Sequence, residues 1–142
     1  MSRYARKVVE QNLARVREIC LALPQTSERL SHGGPAFFIR RGALAGGQGG
    51  RPPTAANTAC FVMFRDDHHG DGRLAIWCAA PDGVQTELVE TDPARFFRPP
   101  YVGHRGWLGV ELTEVGTDEL GAICREAFLT VAPPTVRRLL DS

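Results

Sequence analysis

Between residues 99 and 107 the chain runs Pro-Pro-Tyr-Val-Gly-His-Arg-Gly-Trp, and no other stretch restricts its backbone so strongly. Pro99 and Pro100 fix φ and favour an extended path, while Gly103 and Gly106 admit positive φ or close approach of another segment. Tyr101 and Trp107 each join a large apolar body to one polar group, so both are expected to dock as anchors. A segment of this kind more often seats a loop against a sheet than performs chemistry.

The rest of the chain must supply that sheet. At 142 residues one domain spanning 1–142 with a single sizeable core is expected. The 43% hydrophobic and 23% charged content argues against wholesale disorder. No apolar run approaches the ~18–20 residues that span a bilayer, and no apolar leader opens the chain, so a cytoplasmic location without membrane contact is expected. Cys20, Cys60, Cys78 and Cys124 lie far apart inside apolar runs, without a C-x-x-C pair, and read as buried thiols. A Cys78–His104 pair would be the nucleophilic alternative, and nothing in the sequence supports it. The common phosphate-cradling, hydride-transfer, esterase and zinc-protease motifs are missing, so a non-enzymatic protein without cofactor is expected.

Charge is unevenly placed. Residues 1–51 carry nine Arg or Lys against three Glu, a net +6, and residues 52–142 carry eight against thirteen acidic residues, a net −5. The first third is therefore the candidate anion-facing part.

Helical spacing of Val8, Val9, Leu13, Val16, Ile19, Cys20 and Leu23 predicts an amphipathic helix over 3–23, stopped by Pro24. A polar connection over 25–34 and a Gly33-Gly34-Pro35 turn lead into a strand over 36–40. Residues 42–58, rich in Gly and Pro, predict a long, mobile hairpin tip. Strands over 59–65 and 73–79 flank the acidic, His-containing connection 66–72, giving a three-strand antiparallel meander. A helix over 81–91, a short helix from Asp92-Pro93 through Phe97, a strand over 107–112 and a helix capped by Thr117 follow. Residues 135–140 add a terminal turn. Together these elements predict an α+β domain, an antiparallel sheet with helices packed on one face.

Several of these marks coincide in a known family. Ala22-Leu23-Pro24 with Glu28, His32-Gly33 leading to Ala36-Phe37, the run from Phe96 to Trp107, and Ala132-Pro133 together resemble the YjbR/MmcQ family over most of the chain. The Pro-Pro-Tyr to Gly-Trp loop is the most specific part. The resemblance implies a compact fold similar to frataxin and to phage "double wing" domains, with residues 42–58 and 66–72 as the wings, and DNA binding by analogy with the second similarity.

Two surfaces compete for function. Arg3, Arg6, Lys7 and Arg17 on the first helix, with Arg40, Arg41 and Arg51 on the first wing, are the candidates for phosphate contact with double-stranded DNA. Tyr101, His104, Arg105 and Trp107 are the candidates for a small-ligand pocket, with His104 titrating near neutrality. A protein-interaction module using the basic helix or first hairpin is the third reading, in a monomer or weak dimer. His68 and His69 among three aspartates are more consistent with a solvated turn than with a metal site. Frataxin-like iron handling is disfavoured because the first helix is basic.

Overall fold

The computed structural model describes residues 2–42 and 53–141. Helix α1 (Arg6–Leu21) is followed by strands β1 (Thr26–Ser31), β2 (Gly34–Arg40), β3 (Thr58–Asp66) and β4 (Leu74–Cys78). Helix α2 (Val84–Thr91), strands β5 (Phe96–Phe97) and β6 (Leu108–Glu111), and helices α3 (Thr117–Val131) and α4 (Pro134–Leu140) complete it. The strands form one antiparallel sheet in the order β1-β2-β3-β4-β6-β5. This is the α+β architecture expected. No helix among the described residues is long and apolar enough to cross a membrane.

Four expectations about local structure need correction. Residues 26–31, expected in a polar connection, are strand β1, paired with β2 from Thr26↔Ile39 to Ser31↔Gly34. The turn is therefore His32-Gly33, with φ of 52° and 87°, the doubly left-handed geometry that matches strand twist in a two-residue hairpin. Phe96–Phe97 is a strand rather than the end of a short helix, because Asp92 accepts the Arg95 and Phe96 amides in a turn and the two rings then pair with β6. Thr117 does not cap α3; Gly116 is the cap, its carbonyl taking the Leu120 amide at 2.9 Å.

Alternation along the strands, offset in β3 by a bulge at Phe61 opposite Phe37 and Phe38, separates two faces. Phe37, Ile39, Phe61, Phe64, Leu74, Ile76 and Val110 meet Val16 and Cys20 of α1 and Leu120, Cys124, Ala127 and Phe128 of α3 in the core. Phe61 and Phe128 meet edge to face at 6.0 Å, the geometry the ring quadrupoles favour. On the opposite face the register sets Ala36, Met63, Trp77, Gly109 and Phe97 in one cross-strand row, with Arg65, Ala75 and Glu111 in the next. Gly109 is required there: a Cβ would stand 2.5 Å from the Phe97 ring. Functional side chains can therefore project from β3 and β4 while their sequence neighbours hold the core.

Candidate functional site

On the second face a cleft of about 670 Å³ opens over Met63, Arg65 and Trp77, within the usual volume range for one small organic ligand. Three connections make its rim. The β1–β2 turn brings His32, the β3–β4 turn brings His68 and His69, and the Pro-Pro-Tyr loop brings Tyr101, Val102 and Arg105.

Each rim segment is built by specific bonds. In the β3–β4 turn the Asp67 amide donates to the Arg73 carbonyl at 2.7 Å, and the Asp67 carboxylate accepts the Gly72 amide at 2.8 Å. This closure turns His68 inward, where its ring meets Trp77 edge-on at 4.8 Å. His68 is thus packed, which corrects the solvated-turn reading. The Pro-Pro-Tyr loop is pinned from below by buried Gln85, whose Nε2 donates to the Gly103 carbonyl at 2.8 Å and the Trp107 carbonyl at 2.5 Å. Trp107 docks in the core as expected; Tyr101 does not, remaining 67% exposed at φ 63°. Gly106 takes φ 82° and Gly103 admits Arg98 where a Cβ would stand 2.7 Å from Arg98 Cγ, so both glycine roles are met.

Backbone strain concentrates here. Among the described residues, five that are not glycine have positive φ; His32, His69 and Tyr101 line the cleft, and Asp67 directly precedes His68. Such a residue costs about 1–3 kcal/mol, and strain of that size clusters at functional sites.

The floor carries unusual polar chemistry. Arg65 is 5% exposed, and its Nη1 donates to the Phe64 carbonyl at 2.8 Å and the Pro35 carbonyl at 3.4 Å, its Nη2 to the Ser31 carbonyl at 3.1 Å. Burial lowers its pKa. Arg65 Nε, Trp77 Nε1 and His68 Nε2 are all buried without a hydrogen-bond partner. Leaving one such group unsatisfied costs about 1–3 kcal/mol, and three meet in one place. Burial, then the charges of His69 and Arg65, also holds His68 below the ordinary histidine pKa, with Asp71 opposing.

Of the four residues expected to line a pocket, Tyr101 and Arg105 do so. His104 is exposed and outside the cleft, and Trp107 is buried beneath the loop. The floor went unrecognised because Met63, Arg65 and Trp77 lie within apolar strand runs; an arginine in alternation with Phe64 and Val62 was the available signal. The Cys78–His104 pair is not formed: Cys78 is fully buried, which pushes its thiol pKa well up, and His104 is on the surface.

The expected basic surface is not assembled into one patch. Arg17 is held by Glu28 through two bonds of 2.6 and 2.8 Å, and Arg6 pairs with Glu10 at 3.0 Å. Arg40 is 3% exposed. Its amide bonds to Gln25 beyond the C-terminal end of α1, whereas Arg3, Arg6 and Lys7 lie at the N-terminal end, about 24 Å away for a helix of 16 residues. Arg41 is exposed beside Arg40, with Nη2 on the Ala56 carbonyl at 3.4 Å, and Arg51 and most of the first wing lie outside the described residues. No group of three or more His, Cys, Asp or Glu able to hold a metal occurs among the described residues.

Comparison with known proteins places this geometry in a family. No curated protein matches the sequence. A crystal structure of Deinococcus radiodurans protein DR2400, whose domain is described as DUF419, is similar with a TM-score of 0.66 and 15% identity, over 91% of this chain and 87% of that one. At that identity the likeness shows the fold. The YjbR family model matches residues 21–130, a span that takes in every strand and every wall of the cleft, and the chain belongs to the YjbR family.

Proposed function

We propose that this protein binds a small organic ligand in the cleft on the sheet face opposite α1 and α3, by binding alone rather than by catalysis. The observation that carries this reading is that three residues lining one cleft, Arg65, His68 and Trp77, each hold a buried nitrogen without a hydrogen-bond partner. Polar groups in a folded interior are nearly always satisfied, so a cluster of exceptions marks a place where another molecule completes the bonding. The strained rim supports it further. Among the described residues the lining holds no serine, cysteine or carboxylate, which favours binding over turnover through a nucleophile of those kinds.

Duplex binding, the family expectation, has less to stand on. Arg3 and Lys7 at one end of α1 and Arg41 at the other are its exposed cations without a carboxylate partner among the described residues, and three separated charges give weak counterion release. Thermal melts of the full chain against a panel of aromatic and aliphatic fragments test the ligand reading. A fragment at a hundred times its Kd stabilises by about 2.7 kcal/mol, so binders raise Tm by several degrees, an effect that Tyr101→Ala reduces. A panel that leaves Tm unmoved overturns the reading, and a duplex gel shift at low salt would then put DNA in its place.

A further inference from the structure

The proposed ligand-binding role, on which this inference rests, leaves the ligand's chemistry open, and the floor of the cleft narrows it. Arg65 brings a buried positive charge that no carboxylate answers. The ion pairs among the described residues join Arg6 to Glu10, Arg17 to Glu28, Arg73 to Glu111, and Arg95 to Asp92 and Glu119. Asp66, the residue after Arg65, is exposed and accepts Ser2 at 2.5 Å instead.

A guanidinium has five protons. Three of those on Arg65 go to the carbonyls of Phe64, Pro35 and Ser31, which leaves the Nε proton and one on Nη2. Two donors on one guanidinium are what a carboxylate accepts in bidentate fashion. Gly34 makes room for this placement, since a Cβ there would lie 2.7 Å from Arg65 Nη1. Trp77 Nε1 adds a third donor without a partner. The rest of the lining joins aromatic rings to Met63, Val102 and the exposed Arg105, with the His68 ring 5.8 Å and the Trp77 ring 6.4 Å from that of Tyr101.

We infer that the cleft takes a planar aromatic monocarboxylate, its carboxylate on Arg65 and Trp77 Nε1 and its ring against Tyr101 and His68. One buried cation without a carboxylate partner matches one negative charge, and a cluster of rings in edge and tilted contact matches a flat apolar body. The free nitrogens have no exposed surface, so the carboxylate reaches them by parting the edge contacts of the His68 and Tyr101 rings.

Calorimetric titration of the full chain with 2-naphthoate, uncharged 2-naphthylmethanol and inorganic phosphate tests this. Naphthoate binds at least tenfold more tightly than the alcohol, and phosphate gives no binding heat. Arg65→Met brings naphthoate down to the affinity of the alcohol. Trp77→Phe keeps an aromatic side chain, removes the indole N–H and weakens naphthoate severalfold more than it weakens the alcohol; it carries the test alone should Arg65→Met fail to fold. Equal affinity of the parent for naphthoate and alcohol overturns the anion assignment while the ligand-binding role stands. Silence from both aromatic probes overturns it as well, and takes the ligand-binding role with it only when the fragment panel also yields no binder.

Discussion

Tyr101 shows most plainly how single residues here are held in conformations that folding alone does not reward. It is exposed and left-handed at φ 63°, a conformation that costs a residue with a Cβ about 1–2 kcal/mol and glycine almost nothing. Tyr101→Ala keeps that cost and loses the ring, whereas Tyr101→Gly loses the ring and the strain together. The glycine variant should therefore be the more stable of the two by about 1 kcal/mol, the reverse of the usual order; chemical denaturation of both variants decides, and an alanine variant equal or superior would show that the backbone there is unstrained. His68 makes a second residue-scale test. Its pKa is lowered in the folded state, so between that value and the ordinary ~6.5 the unfolded chain binds more protons and stability rises with pH. This contribution is complete above the unfolded pKa and is lost as pH falls from there through the lower, folded value. Melts from pH ~7.5 down to ~5.5 should show a decline that His68→Gln makes shallower, and parallel profiles would count against the inward-packed ring. Neither property was legible in the sequence: His68-His69 in an acidic, Gly-rich stretch has the composition of a solvated tip, and only the Asp67 closure reveals which histidine turns in.

Elements are joined by bonds of very different worth. α1 is tied to the β6–α3 connection by Arg15, whose Nη1 donates to the Val115 carbonyl at 2.9 Å and whose Nη2 donates to the Leu112 carbonyl at 2.7 Å. It is tied to β1 by the Arg17–Glu28 pair, with Arg17 44% exposed. Removing Arg15 leaves carbonyls of the β6–α3 connection without their donor, worth about 1–3 kcal/mol; removing Arg17 breaks a solvent-screened pair worth about 0–1 kcal/mol. Urea midpoints of Arg15→Ala and Arg17→Ala should fall in that order, and the opposite order would shift the weight to the α1–β1 junction. The same contrast explains what sequence could show about elements. α1 and α3 carry unbroken apolar spacing and were legible within a few residues, as were β3 and β4. Strand β1, Thr-Ser-Glu-Arg-Leu-Ser, is an edge strand with little to bury; Leu30 is among its most exposed side chains, so no period-2 apolar signal exists. Strand β5 is two residues long and owes its existence to pairing with Gly109 and Val110, a long-range contact beyond any local pattern.

At the scale of the whole molecule, the division of one sheet into a packed face and an open face lets β3 and β4 serve both. Phe64 and Ile76 lie in the core with α3, while Met63, Arg65 and Trp77 on the same two strands floor the cleft. Sequence alone gave access to the packed face, because apolar residues announce it, and not to the open one, whose site depends on three connections meeting over the sheet. This arrangement makes a prediction about where a bound ligand is felt. Ligand contacts with β3, β4 and the loop above them should slow amide exchange most in 61–66, 74–78 and 101–107, and least in α1, whose tertiary contacts lie on the far face. Binding to the native state lowers every opening that exposes the site, so protection should extend to the β1–β2 turn through His32 but stop short of residues 6–12. Hydrogen exchange with and without a fragment that raises Tm reads this directly. Protection centred on α1 or on the Arg40–Arg41 end of the sheet would place the ligand among the basic residues there instead, and the face opposite α1 and α3 would lose its claim to the site.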